Sequence, residues 1–356
     1  MKKVKVGLIG CGGISKGCHI PAFLSMENAE VVACCDIIEE RAQAAAKTLG
    51  ARYAFTDYKD VTALKELDMV DICTPNYLHP VIAIAALSAG KHAFSEKPDA
   101  MTVKQALAMK DAAEKSGKHL MVMRNWRYTP SCRFLKDFIA DGKCGEVYAG
   151  RCGWIRRRGI PGKGGWFTTK ALSGGGPLID LGVHIIDASM WIMDNPKPVA
   201  VSGSVYTKFA DDAQLADSEH AKFGDANTEG TFDVEDLAMG MIKFDNGCTM
   251  QIEFSWASNI EQEYGFIEMR GTKAGFIWDG TKPMNNVTIF DDNSASFKPS
   301  LPVLKPTHAE NLRHFIDDVI IGGKKPEFTP DQGVEMIKIL TSIYKSAETG
   351  KEVRLK

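Results

Sequence analysis

From residue 4 to about residue 123, short apolar runs rich in Val, Ile and Cys alternate with longer stretches whose apolar residues recur at helical spacing. The runs at 4–9, 31–36, 53–55, 70–73, 92–95 and 120–123 predict strands, the third of them weak. Residues 39–49, 80–88 and 103–115 predict helices between them. Parallel neighbours need a helical crossover, and such crossovers are right-handed, so the alternation predicts a doubly wound parallel sheet covered on both faces.

Beyond residue 125 the texture changes. Segments 147–154, 199–207, 238–244, 249–256 and 264–270 are longer and interleave polar with apolar residues, which predicts a large, open, mostly antiparallel sheet. Asp245-Asn246-Gly247 separates two of them, and Asn-Gly supplies the positive φ angles of a tight hairpin. The expected organisation is α/β, with a first domain over 1–124 and a second over 125–356. Residues 210–230 are acidic and lack apolar periodicity, as in a surface loop, a lid or an oligomer contact. Pro299, Pro302 and Pro306 then lead to helices expected at 310–321 and 332–347.

A chain of 356 residues has room for two cores. Lys and Arg (43) nearly balance Asp and Glu (45), so no basic field exists to neutralise phosphates, and nucleic acid is not the expected partner. No apolar run reaches a membrane span. Nine cysteines, an odd number with no C-x-x-C pair, point to reduced thiols and a cytoplasmic protein. What remains is a small-molecule ligand.

The first strand runs into Gly10-Cys11-Gly12-Gly13-Ile14-Ser15, a G-x-G-x-x-G pattern with serine in the third glycine position. The first glycine permits the turn, the second admits a pyrophosphate, and the third position must be small. Asp36 closes the second strand at the distance where a carboxylate accepts from ribose hydroxyls, which favours NAD over NADP. Arg41 lies within reach of a 2′-phosphate and keeps NADP open as the lesser alternative.

Two segments carry the chemistry. Glu96-Lys97-Pro98 follows a strand and so lies at the carboxyl edge of the parallel sheet, where Lys97 is expected to face the nicotinamide; Pro98 is a candidate for a cis peptide. Further on, Ser173-Gly174-Gly175-Gly176-Pro177 opens a helix that is apolar nearly all round except for a stripe of Asp180, His184 and Asp187. Burying three ionisable groups without partners costs several kcal/mol, about the penalty for unpaired polar burial, so the stripe is expected to face polar company such as a watery, substrate-filled cleft. Asp180 and His184 also have i, i+4 chelating spacing, but the sequence shows no further ligands, and no metal is expected. Imidazoles titrate near neutrality, so His184 suits a general base for a hydroxyl proton, with Lys97 stabilising the alkoxide and Asp180 orienting the substrate or the lysine.

With these residues in place, the chain resembles the glucose-fructose oxidoreductase and inositol dehydrogenase family, Gfo/Idh/MocA. The resemblance rests on the glycine loop, Cys73-Thr74-Pro75-Asn76 with His79, Glu96-Lys97-Pro98, Asn125-Trp126-Arg127-Tyr128-Thr129-Pro130, and Gly174-Gly175-Gly176 through Asp180 and His184. It implies a Rossmann domain binding NAD, catalysis by Lys97, Asp180 and His184, and homo-oligomers built through the second sheet. It also places Thr74, Pro75, Asn76, His79, Glu96 and Asn125 near the cofactor. Ser15 and Trp126 depart from the family pattern. Relatives of this kind act on sugars, inositols or glycosides, some at C3, so Arg127, Trp154, Arg156, Arg157, Arg158 and Trp166 are expected around a carbohydrate. Arg156, Arg157 and Arg158 fit equally well as a solvated basic turn. Two other readings use the same residues: a redox-assisted NAD-dependent glycosidase, and a non-catalytic NAD-binding sensor.

Overall fold

The computed structural model describes residues 3–211, 223–280, 286–292 and 296–355, and its contacts divide into two compact units. The first comprises Met1–Met123 with Pro306–Ile337. Its strands are Val4–Ile9 (β1), Ala29–Cys35 (β2), Tyr53–Phe55 (β3), Met69–Ile72 (β4), His92–Ser95 (β5) and Leu120–Val122 (β6). They form a sheet in the order β3-β2-β1-β4-β5-β6, every pair parallel. The order reverses between β1 and β4, and ligands bind at such a switch point beyond the carboxyl ends of the strands. All of β4 and all but one residue of β1 are buried, as continuous apolar runs in a doubly covered sheet should be.

Helix ends follow the local sequence. Glu39–Leu49 stops at Gly50 (φ 68°), and Val103–Ser116 starts on a Thr102/Gln105 capping box and stops at Gly117 (φ 63°). The expectation that 125–356 forms one domain is corrected by the return of 306–337 to the first unit. Phe315, in the helical segment His314–Ile321, is fully buried and packs 5.4 Å from the Phe94 ring of β5, so this amphipathic segment covers the first sheet.

The second unit comprises Arg124–Lys305 with Lys338–Lys356. Its strands are Val147–Ile155 (β7), Pro198–Tyr206 (β8), Leu237–Phe244 (β9), Thr249–Ser255 (β10), Tyr264–Gly271 (β11), Ala274–Asp279 (β12), Asn286–Asp291 (β13), Ser296–Phe297 (β14) and Val353–Arg354 (β15). The sheet runs β14-β13-β12-β11-β7-β10-β9-β8-β15 and is antiparallel throughout except for β7 beside β10. Phe254, Phe276 and Trp278 fill the covered face. The β9–β10 hairpin forms at the expected place, but only Gly247 takes a positive φ (86°), so glycine rather than the Asn-Gly pair carries the turn.

The helix expected from residue 178 is present in two parts: a five-residue π turn, Leu178–Gly182, followed by the α-helix Val183–Ile192. Of the acidic segment 210–230, residues 212–222 lie outside the described residues. Residues 224–230 pack on the 162–165 loop, where a side chain on Gly164 would meet Asn227 O at 1.8 Å. No helix of the described residues is long and apolar enough to cross a membrane.

Candidate active site

In the first unit, the glycine loop turns at Gly10 (φ 92°), where a Cβ would sit 2.4 Å from the Cys73 carbonyl oxygen; only glycine fits. Gly12 differs. A Cβ there would touch nothing within 4 Å, so no protein atom excludes a side chain, and the bare backbone leaves room for a pyrophosphate. Gly13 is exposed beside it, and Ile14 is the N-cap of the turn that follows. Asp36 accepts from Cys11 N (2.8 Å) through Oδ2 and from Ile38 N (2.9 Å) through Oδ1, which fixes its carboxylate beside the loop with lone pairs left for ribose hydroxyls. Ser15 Oγ and Thr74 Oγ1 are buried without a hydrogen-bond partner among the described residues. The open glycine, the aimed carboxylate and these two hydroxyls fit a dinucleotide.

The carboxyl ends of β4 and β5 bring the next group together. Asn76 is buried just after Pro75, and the His79 imidazole bridges Thr74 O and Pro98 O at 2.8 Å each, tying the loop after β4 to the turn after β5. The Lys97–Pro98 peptide is cis. Glu96 Oε2 accepts from Lys97 N (3.1 Å), while its Oε1 faces His19 Nε2 at 2.9 Å; His19 Nδ1 in turn faces Asp71 Oδ2 at 2.8 Å. His19 is fully buried. Burial disfavours its charged form, yet the Asp71 carboxylate outweighs this and holds the imidazole well above its ordinary pKa. Burial likewise pushes the Glu96 carboxyl up, and the hydrogen bond and charge of His19 more than reverse it. The imidazolium donates to both acids.

Sequence reasoning missed His19, because its partners are 52 and 77 residues away. His19, Asp71 and Cys73 have ligand atoms within 4.8 Å of one another, but both imidazole nitrogens are spent on carboxylates and burial keeps Cys73 a neutral thiol. The trio reads as an ion pair rather than a metal centre.

In the second unit, the stripe on the helix divides. Asp180 Oδ2 accepts from Trp256 Nε1 (2.9 Å), and the His184 ring lies 6.3 Å from that of Trp126. Trp126 also packs edge-on against Trp154 (5.5 Å) and Trp278 (4.9 Å), so His184 stands beside an aromatic wall. Asn125 and Trp126 are both buried in the turn Asn125–Tyr128. Asp187 does not face water as expected. It is 5% exposed and accepts from Arg124 Nε (2.9 Å), Arg127 Nε (2.8 Å) and Arg127 Nη2 (2.7 Å); its polar company is a pair of guanidinium groups. Arg127, expected at the carbohydrate, is 1% exposed and committed to this ion pair.

The three consecutive arginines also divide. Arg156 is buried, donates to Gly159 O (3.1 Å) and lies 4.8 Å from the Trp154 ring; burial pulls its pKa down against the charges of Asp180 and Glu263. Arg157 bonds the carbonyls of Ile260 and Glu261, and Arg158 bonds Ser258 O (3.0 Å) and Asn259 Oδ1 (2.8 Å), so both staple the 258–261 turn. Trp154 is half-buried, with Nε1 donating to Glu263 Oε1 (3.1 Å), and Trp166 stacks on Phe167 at 3.7 Å. The structure thus gathers Asp180, His184, Trp126, Trp154 and Arg156 in the second unit, and sends Asp187, Arg127, Arg157 and Arg158 to other work. Trp256, unmarked in the sequence, joins the site through its indole N–H.

Residues 4–124 match the profile of an oxidoreductase family with an NAD-binding Rossmann fold, GFO_IDH_MocA, and residues 132–277 match the GFO/IDH/MocA C-terminal domain. The chain is 32% identical over 361 residues to D-glucoside 3-dehydrogenase of Escherichia coli (strain K12), covering 99% of this chain and 97% of that protein. It is 29% identical over 293 residues to levoglucosan dehydrogenase of Pseudarthrobacter phenanthrenivorans, covering 78% and 74%. A solved structure of levoglucosan dehydrogenase in complex with NADH superposes over the whole of both chains with a TM-score of 0.86 at 24% identity, a likeness of fold.

Proposed function

The chain belongs to the Gfo/Idh/MocA oxidoreductase family, and from that premise we propose that it oxidises a secondary hydroxyl of a sugar or glycoside, at C3 of a glucoside, with NAD. It is a sugar dehydrogenase with an NAD-binding Rossmann domain. When bound, NAD supplies the hydride acceptor. Gly10, Gly12, Gly13, Asp36 and Thr74 hold the dinucleotide, and Asp36 favours an unphosphorylated ribose. His184 takes the hydroxyl proton, the Lys97 amine stabilises the developing alkoxide, and Asp180 orients the hydroxyl. Trp154 offers an aromatic face to the apolar side of a pyranose, and Arg156 sits behind that ring. The observation that carries this reading is the placement of Asp180 and His184 one helical turn apart, the first pinned by the Trp256 indole and the second beside Trp126.

The test is a panel of glucosides, anhydrosugars and inositols incubated with NAD and followed by NADH absorbance. A glucoside deuterated at C3 is expected to pass its label to NADH. No NAD reduction with any sugar, or wild-type rates in Asp180→Asn and His184→Ala, would end the proposal.

The exposed side of the second sheet presents Met239, Met241, Tyr264, Ile277 and Phe290 among charged residues such as Arg151, Lys243 and Arg270, a mixed face that suits a second copy of the chain. Met241→Glu is expected to reduce the molecular mass in sedimentation, and an unchanged mass would remove this face as the contact.

A further inference from the structure

Glu235 precedes β9, is 5% exposed, and has no role in the reading above. Its Oε2 accepts from Gly176 N (2.9 Å), and its Oε1 accepts from Leu178 N (3.1 Å) and from the Tyr344 hydroxyl (2.8 Å). The two amides are N–H groups that the start of a helix leaves without internal partners, and their positive end is the compensation a buried carboxylate requires. Gly176 O in turn accepts from Asp180 N (3.0 Å), so a residue held by Glu235 through its N–H closes, through its carbonyl, the turn that carries Asp180.

The glycines are shaped to this clamp. A Cβ on Gly175 would lie 2.1 Å from Tyr344 Oη, and one on Gly176 would lie 1.9 Å from Glu235 O. The next residue, Asp236, continues the hold: its carbonyl accepts from Trp256 N (2.9 Å), and the Trp256 indole bonds Asp180. One Glu-Asp step therefore fixes both the start of the helix and the indole that pins its acid.

We propose that Glu235, braced by Tyr344, is a positioning residue that sets Asp180 for catalysis by clamping the Gly176 and Leu178 amides. The proposal rests on the catalytic reading of Asp180 and His184. Glu235→Gln is nearly isosteric, but its amide turns N–H toward the N–H of Gly176 or Leu178, so the helix start must shift. Misplacement by about 1 Å costs on the order of 10²-fold in rate.

Steady-state kinetics of full-length variants provide the test. Glu235→Gln is expected to lower kcat by about 10- to 100-fold, with sugar KM and NAD affinity within about twofold. Tyr344→Phe deletes one donor, leaves both backbone bonds, and is expected to lower kcat about three- to tenfold. Added to Asp180→Asn, Glu235→Gln is expected to cost nothing more, because a positioning residue acts through the group it positions.

Undiminished kcat in Tyr344→Phe, or a Glu235→Gln loss that multiplies with that of Asp180→Asn, overturns the proposal. If Glu235→Gln does not fold, Tyr344→Phe decides alone. A wild-type rate in Asp180→Asn overturns the catalytic reading and this proposal with it, whereas a crippled Asp180→Asn beside an intact Tyr344→Phe overturns only the clamp.

Discussion

Replacing Asp187 with asparagine separates stability from chemistry on the helix that carries Asp180 and His184. Asp187 bonds both Arg124 and Arg127, which are 2% and 1% exposed. Asparagine keeps an oxygen where Oδ1 takes Arg124 Nε and Arg127 Nη2, but turns an amide N–H toward Arg127 Nε and removes the negative charge that faces both guanidinium groups. Removing one partner of a buried ion pair costs about 3–5 kcal/mol. For a unit of this size, each kcal/mol moves Tm by about 2–4 °C, so the melting temperature should fall by about 6–20 °C. High salt should not shrink the difference, because buried pairs are poorly screened. Thermal melts give the first quantity, and turnover measured well below Tm should stay within about threefold of wild type, since no reacting atom is assigned to Asp187. A variant that melts like wild type yet loses turnover would refute the argument and return Asp187 to the substrate.

His184→Ala should show the opposite profile, with turnover down by roughly 10²- to 10⁴-fold and NAD binding intact by fluorescence titration; undiminished turnover would remove the general base. Asp36→Ala should weaken NAD more than NADP in the same titration, with some loss for both because the Cys11 and Ile38 amides lose their acceptor; equal losses would mean that the carboxylate does not read the ribose. His19, with its folded pKa raised above the unfolded value of about 6.5, contributes stability that is fully present below that pH and is lost as pH rises through the folded value. Tm should therefore decline on the alkaline side, and His19→Gln should be less stable at pH near 6 but flatter above it; parallel curves for the two proteins would show that His19 is not charged in the fold.

The strands and helices of the first unit were legible in the chain because their signals are local: apolar runs, helical spacing, a glycine turn, an acid ending the second strand. The Gly10 turn and the place of Asp36 just after the second strand follow from neighbours a few residues away, whereas the sequence marked Pro98 only as a candidate for the cis peptide that the structure has. Asp180 and His184 were visible for the same reason, as polar residues one turn apart on an otherwise apolar helix.

What a buried polar group pairs with is another matter, since its partner arrives from a distant segment. The pattern required company for Asp187 but did not name Arg124 and Arg127, some 60 residues earlier. Arg156, Arg157 and Arg158 are alike in sequence, yet the first turns inward and the next two staple a turn about 100 residues away, because the register of β7 on β10 decides which side of the chain is covered. His19, Trp256 and Glu235 carry no local mark at all. Residues 306–337 look like any late helical segment until Phe315 finds Phe94. Periodicity along the chain is enough to make strands and helices, but electrostatic and packing partners are chosen in three dimensions, and only folding brings them within bonding distance.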